Sequence, residues 1–415
     1  MDVIVERCAG LDVHKDTVMA CVRMPDGRGG RCQEVLEFRT FTSSLRALRV
    51  WLVNHGVSQV AMEATGVYWR PVWHVLEAEG SFELLLCNAQ HVKNLPGRKT
   101  DVADAAWLAQ LLECGLMRGS FVPTPVMGRL RDLTRYQKKL IQERARETQR
   151  VQKLLEDAGI KLDSVVSDVL GKASRAMLEA LIAGQRDPEV LAEMALTRMR
   201  PKIPELRLAL EGGFGAHHAL MLRAHLDHID HLGALIDRVD AQIGVEVAPF
   251  SDRIERLCTI PGIGERVARV IIAEIGVDMS RFPTAQHLAS WAGLCPGNHE
   301  SAGKRRSGKA RKGDAALRTA LVEAAWAAAR TRDTYPSAQF RRFCRRFGKK
   351  GEAKAIFVVA HSLLVMVWHV LADDVPYAEL GTDHFQRLQD PKAHAQRLAH
   401  QIEKLGYKVT FEPAA

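Results

Sequence analysis

Four carboxylate residues in the first quarter of the chain have the type and order of a metal site: Asp12, Glu63, Asp101 and Asp104. Asp12 and Glu63 each lie at the end of an apolar run, and the other two are three residues apart at an apparent helix start. Residues three apart share a helix face, and Mg²⁺ prefers carboxylate oxygens. Each acid alone is also explained as a loop residue or a helix N-cap. Together they predict a Mg²⁺ site.

Short strand and helix patterns alternate through residues 1–125, and these elements must position the acids. Strands are predicted at 3–12, 17–24, 35–40, 58–63 and 83–87, and helices at 43–55 with Ser43 as N-cap, at 68–79 and at 101–114. Three meandering strands followed by alternating helices and strands are typical of an α/β domain of ribonuclease-H-like type. The acids then fall on its first strand, its fourth strand and a late helix.

The sequence pattern of residues 126–250 predicts long helices. Segment 130–157 is rich in charge, and segment 219–243 repeats apolar residues every three or four positions. That rhythm fits a coiled-coil partner face or an intramolecular helical bundle, and the sequence leaves both open. Pro201 and Pro204 indicate a break inside the region.

A third unit is predicted at 251–372, and it begins with a helix-hairpin-helix pattern. Gly262 and Gly264 let the backbone turn tightly and present N–H groups at the next helix start, where a DNA phosphate could bind. The alternative is an ordinary glycine-proline turn between two helices.

A strongly basic segment follows this hairpin pattern. Six of its nine residues are basic: Lys304, Arg305, Arg306, Lys309, Arg311 and Lys312. The interspersed glycines predict a flexible loop, and its positive charge predicts that the loop binds phosphates. Ser307 lies in this segment, and Ser301 lies three residues before it. A serine hydroxyl beside cations can attack phosphorus when a base or metal activates it; without such help it is a turn residue.

The composition suggests a polyanionic partner. The chain has 415 residues, enough for two or three domains, and a net charge of +9. Eight scattered cysteines form no Cys-x-x-Cys pair, so neither a zinc ribbon nor a disulfide framework is supported, which fits reduced thiols in a cytoplasm. The first residues lack a signal-peptide pattern. The apolar segment 355–372 could span a membrane by length, but we interpret it as a buried core helix.

Six motifs, in this order along the chain, resemble the DEDD transposases of insertion-sequence family one-ten, which also contains the pilin-gene invertases. They are Gly-Leu-Asp-Val-His-Lys at 10–15, Met-Glu-Ala-Thr-Gly-Val-Tyr-Trp at 62–69, Gly-Arg-Lys-Thr-Asp-Val-Ala-Asp-Ala at 97–105, Pro-Gly-Ile-Gly at 261–264, Trp-Ala-Gly-Leu-Cys-Pro at 291–296 and Ser-Ala-Gly-Lys at 301–304. The resemblance covers about 1–120 and 254–372, whereas the tail 373–415 matches no motif.

This resemblance implies a RuvC-like catalytic domain at 1–125, a coiled-coil insertion at 126–250 and a helical transposase domain at 251–372. Carried over by position, the four acids would hold Mg²⁺ and Ser301 would form a covalent phosphoserine link to a cut strand. The family implies donor and target DNA, a structured noncoding guide RNA, and a homo-oligomer (dimer or tetramer). We expect no membrane and a cytoplasmic, nucleoid-associated location. Ser-Ala-Gly stands where Ser-Gly-Gly or Ser-Ser-Gly is frequent, so Ser307 is a second candidate.

Lys93, Arg98 and Lys99 precede the helix of the third and fourth acids, and we predict that they contact a nucleic acid backbone. Two other functions remain open. A RuvC-like Mg²⁺-dependent, structure-specific endonuclease would use the acids to activate water and would not need Ser301. A DNA- or RNA-binding protein without catalysis would use only the hairpin and the basic segment.

Overall fold

The computed structural model describes residues 3–64, 66–87, 101–297, 299–301, 303–308, 310, 312–348, 351–387 and 391–410. For residues 101–103, 299–301, 305–307, 386, 391–394 and 397 it describes the backbone alone. The chain divides into two compact units, Met1–Val122 and Pro123–Ala415.

The first unit is built on one mixed sheet of five strands. The strands are β1 (Cys8–Val13), β2 (Thr17–Pro25), β3 (Arg31–Arg39), β4 (Gln59–Glu63) and β5 (Glu83–Cys87), in the spatial order β3-β2-β1-β4-β5. The β1–β2 and β2–β3 pairs are antiparallel, and β1–β4 and β4–β5 are parallel. The predicted meander and mixed α/β architecture are therefore confirmed, in an arrangement consistent with a RuvC-like domain.

Several element boundaries differ from the sequence-based expectation. β3 begins at Arg31 and not at residue 35, because its pairing with β2 continues to Pro25. β1 begins at Cys8, because the backbone N–H groups of Ile4 and Val5 donate to the carbonyl of Glu113 and not to a neighbouring strand. The first helix begins at Thr42, so the prediction of Ser43 as N-cap is wrong. The N-cap position is Phe41, which provides no side-chain hydrogen bond.

Helices cover both faces of this sheet. On one face, α1 (Thr42–Asn54) and α2 (Trp69–Glu77) pack their buried leucines, Val72 and Trp73 against alternate residues of the central strands. On the other face, α3 (Asp101–Glu113) crosses β1 and β2. The acids at the strand ends therefore belong to a layer that one helix, α3, covers.

The closest contact between α3 and the sheet is at Gly10. A Cβ atom on Gly10 would lie 2.3 Å from the backbone oxygen of Ala105 and 2.4 Å from the backbone nitrogen of Ala109. Two residues earlier on β1, the Cys8 thiol donates to the carbonyl of Ala109 at 3.3 Å. Because side chains alternate along a strand, Cys8, Gly10 and Asp12 share the face that α3 covers.

A buried ion pair attaches the C-terminal end of α3 to the sheet. The Glu113 carboxylate accepts hydrogen bonds from Nε of Arg23 on β2 at 3.0 Å and from Nε of Arg31 on β3 at 2.7 Å. Burial alone would raise the pKa of Glu113, but the two guanidinium groups outweigh it and hold that pKa below its ordinary value of 4.5. The orientation of α3 is thus specified at both Gly10 and Glu113.

The second unit contains two long antiparallel helices, α4 (Pro125–Asp157) and α9 (Ala216–Val247). Gln137 donates to Asp240 at 2.8 Å, and Glu147 bonds His225 at 2.6 Å farther along. Apolar residues of the predicted rhythm are buried in this unit: Leu222, Leu226, Ile229, Leu232 and Ile243. The helices therefore pair within one chain, and a coiled coil between chains stays a prediction.

The remaining helices of this unit lie between and after the long pair. Between the two are α5 (Leu162–Val165), α6 (Lys172–Ile182), α7 (Pro188–Ala192) and α8 (Ile203–Leu210), the last preceded by a 3₁₀ turn at Thr197–Lys202 that contains Pro201. After the pair come α10 (Ser251–Cys258), α11 (Glu265–Ile275), α12 (Ala285–Trp291), β6 (His299–Ser301), β7 (Lys304–Ser307), α13 (Ala315–Arg330), α14 (Tyr335–Phe347), α15 (Glu352–Ala372), α16 (His384–Arg387) and α17 (Pro391–Glu403).

Helix α15 contains the apolar segment. Among the described residues it is the one helix long and apolar enough to cross a membrane. It packs against α12, α13 and α14, and buries residues such as Leu363, Leu364 and Val367. The Trp368 indole donates to the carbonyl of Phe282 at 2.8 Å. The predicted packed helix is observed, and the absence of a membrane stays a prediction.

We predict that Gly10→Ala destabilises the first unit. The added methyl would meet the backbone of α3, which cannot retreat as a side-chain end can, and overpacking of this kind costs about 1–3 kcal/mol. Gly119→Ala is the control, since a Cβ there meets only the Leu85 side chain at an ordinary 3.8 Å. Thermal and urea unfolding of both variants measure the difference; equal unfolding free energies would contradict the proposed contact.

We also predict that Glu113 stabilises the protein in a pH-dependent way. Because its pKa is lower in the folded than in the unfolded state, the stabilisation is present above about pH 4.5 and is lost as the pH falls through the folded value. Glu113→Gln should cost about 3 kcal/mol at pH 7, and its deficit relative to wild type should shrink below about pH 4.5.

The control is Glu37→Gln, which changes an exposed acid of β3 with no ion pair among the described residues. Urea unfolding across the pH range gives both differences. A deficit of Glu113→Gln that stays constant down to pH 3 would show that the ion pair does not titrate as described.

Candidate active site

Asp12 and Glu63 lie side by side at one edge of the first unit's sheet. The parallel register pairs Gly10 with Ala61 and Leu11 with Met62, so the next residues along both strands are the two acids. Ala61 packs with Cys8 and Leu112 on the α3 face. Since paired residues of parallel strands face the same side, both carboxylates belong to that face.

The N-terminal end of α3 lies at the same edge. Ala109 contacts Cys8, and Ala105 contacts Gly10. Two strand residues span about 6.6 Å, and four helix residues span about the same distance, about 6 Å. The two contacts therefore show that α3 runs antiparallel to β1, with four helix residues matching two strand residues. The backbone of Asp101, one turn before Ala105, is therefore displaced from Gly10 in the direction of Asp12. Asp104 is half-buried beside Ala105.

The Asp12 carboxylate is nearly buried and is oriented by its neighbour. The residue is 9% exposed, and Nε2 of His14 donates to its Oδ2 at 3.0 Å. The β1–β2 turn supports this arrangement, since the His14 N–H donates to the carbonyl of Thr17. The side chain of His14 is itself 51% exposed.

Thiols near the acids are unsuited to metal binding at neutral pH. Burial, with a contribution from the Glu63 carboxylate, raises the pKa of Cys87 to about 12. Burial raises the pKa of Cys8 to about 12 and that of Cys21 to about 11. A thiol must lose its proton to bind a metal or act as a nucleophile. The candidate ligands at this edge are therefore the carboxylates.

A carboxylate set of this kind suits Mg²⁺ in donor chemistry. Among the side chains that the structure describes, however, no three His, Cys, Asp or Glu residues are close enough together to hold a metal ion. The side chain of Asp101 is outside that description. The acids suit Mg²⁺ because they supply carboxylate oxygens, and Asp12 and Glu63 lie on one face of the sheet. The described side chains alone do not complete a coordination site.

The serine candidates lie in the second unit, on a β-hairpin. The sequence predicted a flexible loop, and this is wrong for residues 299–307: β6 and β7 pair antiparallel, with Ser301 opposite Lys304 and Ser307 opposite His299. Gly303 supplies the positive φ of 73° that the turn requires. Ser301 is thus at the turn of the hairpin and Ser307 is at its base.

The segment that carries the hairpin is closed at its neck by backbone packing. A Cβ on Gly313 would lie 2.3 Å from the backbone nitrogen of Gly293 and 2.4 Å from the carbonyl carbon of Ala292. Immediately afterwards, Asp314 caps α13 by accepting from the Leu317 N–H at 2.8 Å. The neck therefore holds the two ends of the segment against each other, and no side chain fits at residue 313.

A charge network attaches this neck to α4 and α11. Arg135 donates to both oxygens of Glu274 at 2.8 Å and to Asp314 at 2.7 Å. Glu274 is fully buried, and burial raises its pKa despite the hydrogen bonds from Arg135. No sequence pattern predicted this network. The cap signal of an Asp before a helical segment could have identified Asp314, but nothing local indicates its partners.

The two glycines of the predicted helix-hairpin-helix have different roles. Gly262 has φ of 86°, and a Cβ there would lie 2.4 Å from the carbonyl oxygen of Ala324 on α13. Gly264 precedes α11 with φ of −96°, and nothing lies within 4 Å of its Cβ position. Gly262 therefore serves packing, whereas Gly264 leaves the start of α11 open. Phosphate binding by either stays a prediction.

The predicted basic residues are only partly described. Lys304 and Lys312 are exposed, and Arg305 and Arg306 lie on β7. The others lie outside the described residues: Lys93, Arg98, Lys99, Lys309 and Arg311.

Comparison with known proteins identifies two matched regions. A DEDD transposase model of IS110 type, described as Transposase, matches residues 9–160, which include all four acids. A second model, described as Transposase IS116/IS110/IS902 family, matches residues 254–355, which include both serines and the basic segment.

Curated relatives agree with these matches. The pilin gene-inverting proteins of Moraxella bovis and Moraxella lacunata are each 34% identical over 158 residues, 36% of this chain and 48% of theirs. The aligned part thus spans about half the length of these relatives. The Insertion element IS110 uncharacterized 43.6 kDa protein of Streptomyces coelicolor is 45% identical over 60 residues, 14% of each chain. With Asp12 and Glu63 at one sheet edge in the first matched region and the serine hairpin in the second, the chain belongs to the IS110 family of DEDD transposases.

Proposed function

We propose that this protein is a DNA transposase that cuts and rejoins strands through a serine nucleophile. The observation that carries the proposal is the convergence of Asp12, Glu63 and the start of α3 at one sheet edge, within the region that matches a DEDD transposase. The pilin gene-inverting proteins are named for gene inversion, which requires DNA cutting and rejoining. The same chemistry on this chain's acids and serine would serve transposition.

The acids would form the metal-binding half of the site. Asp12, Glu63, Asp101 and Asp104 would hold Mg²⁺, which supplies charge neutralisation at a scissile phosphate when bound. His14 keeps the Asp12 carboxylate oriented through its 3.0 Å hydrogen bond. The buried Glu113 ion pair and the Gly10 contact hold α3 in place, so its acids stay at the edge.

Ser301 would perform the covalent step. Its Oγ attacks the phosphorus, an Oγ–P bond forms, the bond to the 3′ oxygen breaks, and the hydroxyl proton passes to the departing 3′ oxygen. The phosphodiester energy is kept in the phosphoserine link, so the strands are rejoined without ATP. The basic residues that follow Ser301 would neutralise the phosphates of the bound strand. Ser307, at the base of the same hairpin, is the alternative nucleophile.

Partners follow from the family. Donor and target DNA, a structured noncoding guide RNA encoded beside the gene, and a homo-oligomer are the proposed partners, in the cytoplasm. The basic segment and the net charge of +9 support a polyanionic partner.

We predict that Ser301→Ala abolishes a covalent protein–DNA adduct and that Ser307→Ala retains it. The adduct is measured on denaturing SDS gels after incubation of protein, RNA transcribed from the DNA flanking the gene, matched DNAs and Mg²⁺. An adduct that persists in Ser301→Ala but disappears in Ser307→Ala would reassign the nucleophile. Cleavage by wild type without any adduct would indicate the endonuclease.

We predict that Asp12→Asn lowers strand cleavage at least about a hundredfold, because a lost ligand charge weakens stabilisation of the transition state. Asp16→Asn is the matched control, since Asp16 is an exposed acid four residues away. Binding of DNA is measured in parallel. Wild-type binding with no cleavage under any Mg²⁺ concentration would indicate the non-catalytic binding protein.

We predict that Lys304→Ala and Lys312→Ala each reduce the slope of log affinity against log salt by about 0.9 for duplex DNA, one phosphate contact apiece. Lys172→Ala, an exposed lysine at the start of α6, is the control. The measurement is fluorescence anisotropy with duplex DNA over a salt series. Slopes identical to wild type in both variants would place the phosphate contacts elsewhere.

A further inference from the structure

A pocket of about 340 Å³ opens beside the base of the serine hairpin. One wall is a face of α15 that presents Phe357, Val358 and His361, and all three are half-buried. Residues one, three and four apart form this continuous helix face. The pocket is in the size range of small-molecule sites.

The opposite wall belongs to the segment that carries the hairpin. Pro296 precedes β6, and Gly308 and Ala310 follow β7. Gly308 is therefore the residue directly after Ser307, so the pocket and the hairpin base share one stretch of chain. The Gly293–Gly313 neck keeps this stretch against the second unit's helices.

The lining has the character of a stacking site with one polar group. Phe357 offers an aromatic surface, and Leu294 and Val358 add apolar contacts. Burial lowers the pKa of His361, so its imidazole is neutral at pH 7 and offers one hydrogen-bond donor and one acceptor. Within the described residues, His361 makes no hydrogen bond.

The positive charge near the pocket favours an aromatic ligand that belongs to a polyanion over a neutral one. Lys304 and Lys312 are exposed on the same basic segment, on either side of Gly308 and Ala310 in sequence. A polyanionic strand held by this segment would pass the pocket mouth, whereas a neutral aromatic ligand would gain nothing from these cations. Unpaired bases stack on aromatic side chains at about 1–3 kcal/mol per base.

We propose that this pocket takes one unpaired nucleobase of the DNA strand bound at the hairpin, stacked on Phe357 and hydrogen-bonded by His361. The inference rests on the proposed function and adds a base-binding site to it. An extruded base next to the hairpin would fix the register of the strand relative to the two serines.

The test compares full-length protein bound to single-stranded oligothymidylate and to an abasic oligonucleotide of equal length. Wild type should bind oligothymidylate about tenfold more tightly, which is ~1.4 kcal/mol. Phe357→Leu and His361→Leu should each reduce this ratio and leave abasic affinity unchanged, because the phosphates are bound elsewhere. His369→Leu is the matched control, since this exposed histidine of α15 bonds Asp373 outside the pocket.

A second measurement uses the wild-type protein and therefore does not require that the variants fold. Oligonucleotides with 5-iodouracil, irradiated on wild-type protein, should crosslink to a peptide that contains Phe357. Ratios unchanged in both folded variants, or crosslinks that never include α15, overturn the pocket assignment. If both oligonucleotides bind equally, the pocket fails and the proposed function stands. If neither binds at low salt, both fail.

Discussion

The contact of α3 with the sheet across Gly10 is the constraint on which the candidate active site depends. The helix backbone approaches β1 so closely that no side chain fits between them, and this proximity puts the start of α3 at the edge where β1 and β4 end. At the other end, Glu113 is bound by arginines from β2 and β3. A helix attached at two points along its length cannot rotate or slide, so acids on its first turn keep their position relative to Asp12.

In the second unit, different contacts hold the serine hairpin in place. Its basic segment cannot bury an apolar face of its own, because charged and small residues dominate it. The segment is instead attached at its neck, where Gly313 packs on backbone and Asp314 joins α13 to Arg135 and Glu274. Glu274 is buried and needs its partner Arg135, since an unpaired buried charge costs several kcal/mol. The hairpin therefore extends from a rigid base, and its Lys304 is exposed to solvent.

Local patterns predicted much of the first unit. Strands β2, β4 and β5 and helices α2 and α3 occur where periodicity placed them, because alternating and continuous apolar runs reflect burial directly. The errors were at ends and in the basic segment. β1 starts late because Ile4 and Val5 bond the end of α3, a partner more than a hundred residues away. The hairpin of 299–307 was missed because its basic composition has no strand signal, and pairing there depends on the turn at Gly303.

The sequence by itself determined the residue types of the site, the order of the motifs, and hence the family. It also predicted the helices of the first unit, the helical character of residues 126–250, and the apolar α15 that packs among other helices. Only the tertiary structure decided that Gly262 serves packing while Gly264 stays open, that the long helices pair within one chain, and that His361 faces a pocket beside the hairpin. The physical reason is the range of the interactions. Periodicity and turn chemistry act over a few residues, whereas close backbone approach, buried ion pairs and pockets join residues distant in sequence.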